Sequence, residues 1–476
     1  MGHLRSDRTL LICLALGVLV VSGVAAERLR RGAAAPFGKP LGYWLEQWDK
    51  PSGQRDSRAL EALVAVPQKA VPALARRVSA RPGGWRERLV RLATAFPQSG
   101  LRVRDADTLR RGAAEALGAM GPLAEPAAGA LVGGLGRARH AGTVEAIHGV
   151  LLRLGPPAAE ALLIGLSHAD PVARRRALRT LEGLVTGDPA VRNSDLPMVE
   201  AVVRRLGDDD PETVRLATGV IRVLARRAEV ALPGLLANAG HPSPSIRSAT
   251  AAAIGALASD AGRSVPALMG LLEDADDRVR VAAAGALGRF GADAAPAVTV
   301  LATLCGSNVE SSLGLAVANC LGRIGVLAVE AVPGLAEVRE GASPLLRGSR
   351  MAALGRIGGR PDVAVPALAN AMRDEDAYVR RNAVWALAAF GEEAAPAVAA
   401  LIEALQDPVE SIRVGAVEAL GAIGPAAAVA VPHLHVARRN NPSVMNRPAL
   451  AAIAQISGAV ASVSLPAGGE DGTPAR

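Results

Sequence analysis

Residues 279–291, 379–391 and 412–424 read VRVAAAGALGRFG, VRRNAVWALAAFG and IRVGAVEALGAIG. Their apolar positions are Val279, Ala283, Leu287 and Phe290; Val379, Ala383, Leu387 and Phe390; and Ile412, Ala416, Leu420 and Ile423. Steps of four, four and three residues draw one stripe along a helix of 3.6 residues per turn. A glycine follows each stripe at Gly291, Gly391 and Gly424, and with Gly325 and Gly358 the spacings are 34, 33, 33 and 33 residues. Gly121 and Gly155, 34 apart, fit the same role earlier. Glycine tolerates the left-handed backbone that ends a helix, so each of these positions predicts a helix stop.

After each glycine come a short Ala-rich turn, a proline and a second apolar stretch. The prolines are Pro233, Pro266, Pro296, Pro333, Pro366, Pro396 and Pro432. Proline suits the first turn of a helix, where its missing N–H is not needed. Acidic residues separate the units: Asp208 to Asp210, Asp276 and Asp277, Asp374 and Asp376, and Asp407. They are expected to N-cap the following helix. The pattern predicts an all-α chain built from a helix–turn–helix unit. Neither helix of a unit can bury its stripe alone, so the units must stack, about ten to twelve of them.

The order Asp, Val-Arg, Ala-rich helix, Leu-Gly, Ile-Gly, Val-Pro-Leu resembles HEAT repeats of the short, phycobilisome-lyase HEAT-like type, over nearly all of residues 107–458. The resemblance implies a right-handed α-solenoid whose second helices line a concave groove. Copies near residues 169–207 and 341–358 depart from the template, the former through a widened turn from Thr186 to Asp195. An early copy near 55–78 contains Val71 and Pro72, and residues 79–106 read as an inserted helix and loop. The repeat array is thus expected to span 55–458.

Ahead of the array, residues 1–8 form a basic stretch with Arg5 and Arg8, followed by an uncharged run from Thr9 to Ala26. Its apolar centre, Leu10 to Val21, has the length of a signal-peptide core, and Val24 and Ala26 suit the −3 and −1 positions of a cleavage site. The whole run is also just long enough for a single transmembrane anchor. The expectation is an array held outside the cytoplasm by an anchor, or secreted or periplasmic after cleavage at Ala26. Residues 27–54 are read as a linker and capping segment. Its stretch FGKPLGYWLEQW, residues 37–48, looks like the segment that precedes the repeats in exported bacterial HEAT-repeat proteins. Tyr43, Trp44 and Trp48 either cover the apolar end of the first repeat or meet a membrane interface. Residues 459–476, ending PAGGEDGTPAR, read as a disordered tail.

Composition sharpens this picture. Half the residues are hydrophobic but only 2% are aromatic, so the core is built from Ala, Leu, Val and Ile. The net charge is +8, with Lys39, Lys50 and Lys69 the only lysines. Residues 1–240 hold 34 basic and 23 acidic residues, while 241–476 hold 19 and 22. A basic first half admits nucleic-acid binding as an alternative function. Arginines cluster at second-helix ends there, at Arg76, Arg77, Arg137, Arg139, Arg204 and Arg205, where they also complement the helix dipole. Aromatic stacking platforms are lacking. The recurring Val-Arg arginines, Arg215, Arg247, Arg280, Arg380 and Arg413, form either a phosphate-binding stripe or, the favoured reading, pairs with inter-repeat aspartates.

No catalytic, cofactor-binding or metal-binding residue is assigned. The chain contains no His-Glu dipeptide, so the iron-holding pairs of the HEAT-like deoxyhypusine hydroxylases are not carried over, and it has no phosphate loop and no Gly-x-Ser-x-Gly. His433 and His435, two positions apart, point about 200° apart on a helix and cannot share one metal. Cys305 and Cys320 are expected to be buried. The reading is therefore a non-catalytic protein–protein interaction scaffold, with a lyase-like HEAT enzyme or enzyme subunit as the other alternative. The candidate binding surface, for a protein or peptide, is Met269, Glu273, Asn370, Arg373, Glu403, His433 and Arg438.

Overall fold

The stripes predicted from the sequence are the buried sides of helices. A computed structural model describes residues 36–50, 54, 56–81, 85–95, 104–194, 197–306, 311–337 and 341–458. The expected export segment and tail lie outside the described residues. Among those described there are eleven helix pairs, one closing helix and three further helices, Leu41–Trp48, Trp85–Ala95 and Pro189–Arg192, with no β-strand. The chain divides into two compact units, Met1–Leu224 and Ala225–Arg476.

In the second unit the first helices of successive repeats are Pro244–Leu257, Asp277–Leu287, Ser311–Ile324, Pro344–Ile357, Ala377–Phe390 and Glu410–Ile423, closed by Pro442–Ile456. Each packs along the next, far more extensively than the second helices pack on one another. Val279, Ala283, Leu287, Val379, Ala383, Leu387, Ile412, Ala416 and Leu420 are all buried in this layer. Small residues form the seam. A Cβ placed on Gly255 or on Gly355 would lie 2.7 Å from the Cα of Ala286 or Ala386 in the next repeat, and Gly322 and Gly421 face Ala353 and Ala452 in the same way. The Ala-rich composition thus has a geometric cause: two helix backbones approach where only hydrogen or methyl fits between them.

The expected helix stops are all hinges. Gly121, Gly155, Gly291, Gly325, Gly358, Gly391 and Gly424 have φ between 55° and 72°. Gly358 is left-handed as predicted, with ψ 11°. Gly391 and Gly121 differ, with ψ −130° and −131°. That is the first central position of a type II′ turn, which turns the chain straight into a 3-10 segment. Such segments, Gly291–Ala297, Gly325–Ala331, Gly391–Ala397 and Gly424–Ala430, are the Ala-rich turns. Sister positions 225 and 258 carry alanine, yet Ala225 and Ala258 have φ 49° and 46°. The prolines split three ways. Pro233, Pro333 and Pro432 take the second position of their helices, whereas Pro296 and Pro396 close the 3-10 segment. Pro266 and Pro366 lie inside helices that start a turn earlier, at Ala261 and Pro361.

Three helical runs, Ser312–Ala336, Ala377–Ala404 and Glu410–Asn440, are long and apolar enough to cross a membrane by length and composition. Each is a repeat bent at a positive-φ glycine, Gly325, Gly391 or Gly424, and its apolar side faces neighbouring repeats. Stacking within the array therefore accounts for their apolar character.

In the first unit, first helices Ala106–Met120, Ala141–Leu154, Pro171–Gly187 and Pro211–Leu224 follow an earlier pair, Ala59–Val64 and Pro67–Ser79. Helix Trp85–Ala95 falls within residues 79–106, and the widened turn after residue 186 contains a short helix, Pro189–Arg192, anchored by buried Val191. Arg110 and Asp107 form a buried ion pair at 2.6 Å. Arg110 also donates to the carbonyls of Val78 and Ala80, and Asp107 accepts from the backbone N–H of His140. One pair thus ties three helices, with its charges compensated by hydrogen bonds. Helix Leu41–Trp48 covers the leading end. Trp44 is buried, and Trp48 Nε1 donates to the Gly112 carbonyl at 2.8 Å.

An arginine–aspartate ladder joins repeats. Arg247 grips Asp274 through two bonds of 2.6 and 2.8 Å, Arg347 grips Asp374 at 2.8 Å, and Arg380 reaches Asp407 at 2.7 Å, each across 27 residues. In the first unit Arg174 reaches Asp208 at 2.6 Å. Each of these arginines also donates to carbonyls of the turn before its own helix, as Arg380 does to Asp374 and Glu375. Of the expected rungs, Arg247 and Arg380 pair across repeats, but Arg215 and Arg280 pair locally with Glu212 and Asp277. Among the described residues Arg413 holds the carbonyls of Asp407 and Pro408 and no carboxylate. The cause is visible in the chain: 27 residues beyond Arg215, Arg280 and Arg413 stand Pro242, Ser307 and Asn440, none of them acidic. The aspartates accordingly have two roles. Asp210, Asp276 and Asp376 are N-caps. Asp208, Asp274, Asp374 and Asp407 instead accept the N–H two residues on, closing the turn that the ladder grips.

Gly355→Ala should destabilise the chain by about 1–3 kcal/mol through overpacking. Gly285→Ala, on an exposed helix position with open space around it, should instead stabilise by about 0.5–1 kcal/mol; urea midpoints compare the two. Ala258→Gly should stabilise by a few tenths to about 1 kcal/mol, because relief of left-handed strain exceeds glycine's entropic cost, as read by the thermal midpoint. Hydrogen bonds from Arg247 hold Asp274 below its usual range; for Asp374 burial pushes upward, but the Arg347 hydrogen bonds, the Asp376 N–H and the charges of Arg347 and Arg380 together bring it below. A lowered folded-state value means stability that is present above about pH 4 and lost as pH falls through that lowered value. Urea midpoints should therefore hold from neutral pH to about pH 4 and drop below it, and Asp374→Asn should shrink the drop.

Candidate interaction surface

The expected binding residues lie on second helices and are mostly exposed. Met269 is half-buried on Ala261–Leu272, and Glu273 caps its end, exposed. Asn370 is exposed on Pro361–Ala371, with exposed Arg373 just beyond its end. Glu403 is exposed on Val398–Ala404; on Val431–Asn440, His433 is exposed and Arg438 half-buried. The structure brings two of them together. Arg373 and Glu403 form a bidentate ion pair at 3.0 Å between successive second helices, with both side chains more than half exposed. At that exposure the pair contributes little to stability, about 0–1 kcal/mol, and its charges remain available for exchange with a partner's.

Sequence reasoning missed a cluster on the first-helix layer. Tyr378, Arg381 and Trp385 lie along Ala377–Phe390, with the Arg381 guanidinium 5.4 Å from the Tyr378 ring and 5.2 Å from the Trp385 ring. Trp385 is 49% exposed. Glycines in the flanking first helices make room for the rings: Gly348 faces Tyr378, and Gly415 lies against Val384 and Trp385. The signal was positional. At the place of Trp385 the sister repeats carry Gly285, Asn319, Ala352 and Glu418, so an aromatic there points away from the core.

The early arginines are largely committed to the protein itself. Arg77 pairs with Asp49 at 2.9 Å and Arg205 with Asp208 at 3.2 Å. Arg76 donates to the Pro72 carbonyl, and Arg137 to those of Gly133 and Ser79. Cys305 and Cys320 are free and buried, and burial pushes their thiols up to about 11 and about 12. Both are thus protonated and unreactive near neutral pH. Among the described residues no group of His, Cys, Asp or Glu could hold a metal ion.

The family model for HEAT repeats matches residues 232–313, 332–400 and 365–454. No curated protein sequence matches the chain. Similar solved structures include one of Kap95p binding RanGDP, 15% identical over 88% of this chain and 67% of that one, with a TM-score of 0.46. A Kap95:Nup1 complex contains a chain 15% identical over 92% of this one and 66% of its own length, with a TM-score of 0.48. A designed armadillo repeat protein is 20% identical over 49% of this chain and 99% of its own, with a TM-score of 0.34. The chain spans about two thirds of the length of those Kap95 structures' chains. It is an all-α solenoid that carries HEAT repeats in residues 232–313 and 332–454.

Proposed function

We propose that this chain is a non-catalytic scaffold that binds a protein or peptide and is tethered to, or exported across, a membrane through residues 9–26. The observation that carries the binding part is the Tyr378–Arg381–Trp385 cluster on a closely packed helix layer, with Trp385 exposed and Tyr378 and Arg381 half-buried. Trp, Tyr and Arg are the residue types that dominate binding energy at protein interfaces. In a chain with four tryptophans, one stands half in solvent, with the Arg381 guanidinium over its ring and Gly415 of the next first helix beside it. The second-helix face, with Arg373, Glu403, Asn370 and His433, offers polar contacts of the kind found at interface rims. The membrane part rests on the uncharged run from Thr9 to Ala26 alone. The finer repeat type, the short phycobilisome-lyase form, rests on the Asp, Val-Arg and Leu-Gly order of the sequence and brings no lyase chemistry with it. Nucleic-acid binding by the first half is disfavoured, because Arg77, Arg137 and Arg205 are already bonded within the protein.

The test places a photo-crosslinking amino acid at position 385, and separately at 373, in the full-length chain inside its own cells, followed by fractionation. One discrete crosslinked protein in the membrane or envelope fraction is expected, together with protease access to the repeats from outside. A chain that crosslinks to nothing at either position contradicts the scaffold reading. A chain recovered whole in the cytoplasm contradicts the export reading.

A further inference from the structure

The turn Gly325–Ala331 exposes several aliphatic side chains together. At the two positions after the hinge glycine, sister turns present Ala292 and Asp293, Glu392 and Glu393, Pro425 and Ala426, or Pro122 and Leu123, and where a sister turn exposes a large aliphatic it is a single one, Leu123, Val230 or Val429. Here Val326 and Leu327 stand there, 72% and 52% exposed, and Val329 is 42% exposed. Exposed aliphatic side chains on a rigid turn cost solvation and have no role in the core. The turn itself is well braced. A Cβ on Gly359 of the next repeat would meet Val329 Cγ2 at 2.7 Å.

The same edge carries arginines in register. Arg289, Arg323 and Arg356 each precede a hinge glycine by two residues, and all three are exposed. The stems of Arg323 and Arg356 lie across the preceding repeat in slots left by glycine: a Cβ on Gly288 would lie 3.4 Å from Arg323 Cδ, and one on Gly322 3.5 Å from Arg356 Cδ. The slots fix the stems and leave the guanidiniums in solvent. Among the described residues none of the three arginines enters an ion pair, in contrast to the ladder arginines. The aliphatic turn lies between two of them. Arg323 precedes the Gly325 hinge, and the Arg356 carbonyl lies 3.9 Å from where a Cβ on Gly325 would stand.

We infer that this edge is a docking site for an acidic amphipathic segment of a partner protein, which covers Val326, Leu327 and Val329 with apolar side chains and sets carboxylates on Arg323 and Arg356. Charge complementarity selects the occupant. Exposed guanidiniums that enter no ion pair among the described residues favour bidentate carboxylates, and the aliphatic turn supplies the apolar contact that a purely ionic site lacks. An anionic membrane fits less well. Asp293 and Glu330 are exposed on the same edge, and a bilayer surface would meet them together with the arginines. A peptide can place a neutral or basic residue opposite each. This inference deepens the scaffold reading and rests on it.

The test selects a library of random peptides of roughly 12 residues against the full-length chain, then measures the affinity of the enriched peptides for that chain and for the variants Leu327→Asp and Arg323→Glu/Arg356→Glu. Because all three residues are exposed, unchanged thermal midpoints should show that the variants fold. The expected result is enrichment of peptides that combine Asp or Glu with Leu, Ile or Phe. Their affinity should fall about tenfold or more in each variant and weaken as salt rises. Enriched peptides that lack acidic residues, or that bind the variants as well as the parent chain, overturn the inference. So does variant-sensitive binding to phosphatidylserine vesicles in the absence of any such peptide. Peptides insensitive to these variants but lost on Trp385→Ala or Arg373→Ala also overturn it, while leaving the scaffold reading in place.

Discussion

Everything described here depends on how closely neighbouring first helices approach one another. At Gly255 and Gly355 no Cβ fits without displacing the backbone of the next repeat. That contact sets the helix spacing, and the spacing sets the rest. It brings Arg247, Arg347 and Arg380 within reach of aspartates 27 residues on. It also lets the stems of Arg323 and Arg356 lie in glycine slots with their charges outward. With 2% aromatics, the chain could not build such an array from large side chains, and it does so with close packing of small ones.

The ladder adds direction to this packing. Each arginine holds the turn before its own helix by carbonyls and the turn that leads into the next repeat, beyond the second helix, by a carboxylate. Each such aspartate in turn accepts the N–H two residues on. A repeat therefore fixes the turns on either side of it as well as its own helices. Where the acceptor is missing, as beyond Arg413 at Asn440, the arginine keeps its carbonyl contacts and, among the described residues, holds no carboxylate.

Much of the fold was legible because glycine and apolar stripes are strong signals. Every predicted hinge glycine has positive φ. Ala225 and Ala258 were not legible as hinges, since only the 33-residue spacing marks them and alanine signals nothing about φ. The N-cap expectation was half met: Asp276 and Asp376 are caps, while Asp374 and Asp407 hold turns and arginines. Residue type alone does not separate the two roles, but an arginine 27 positions earlier does. The surface was less legible. Arg373 and Glu403 were both proposed from their exposed positions, yet their mutual pairing needed the spacing between second helices. Trp385 stands outside the stripe of Val379, Ala383, Leu387 and Phe390, and its surface position shows only when its register is compared with Gly285, Asn319, Ala352 and Glu418. The exposure of Val326 and Leu327 was hidden within an apolar run.

The most direct test of this account is native-state amide hydrogen exchange, resolved by segment, on the full-length chain. If the first-helix seam organises the second unit, the segments 344–357, 377–390 and 410–423 should be the slowest to exchange and should open together, with 361–371 and 398–404 exchanging sooner. Second helices that outlast the first, or first helices that open one at a time, would contradict it.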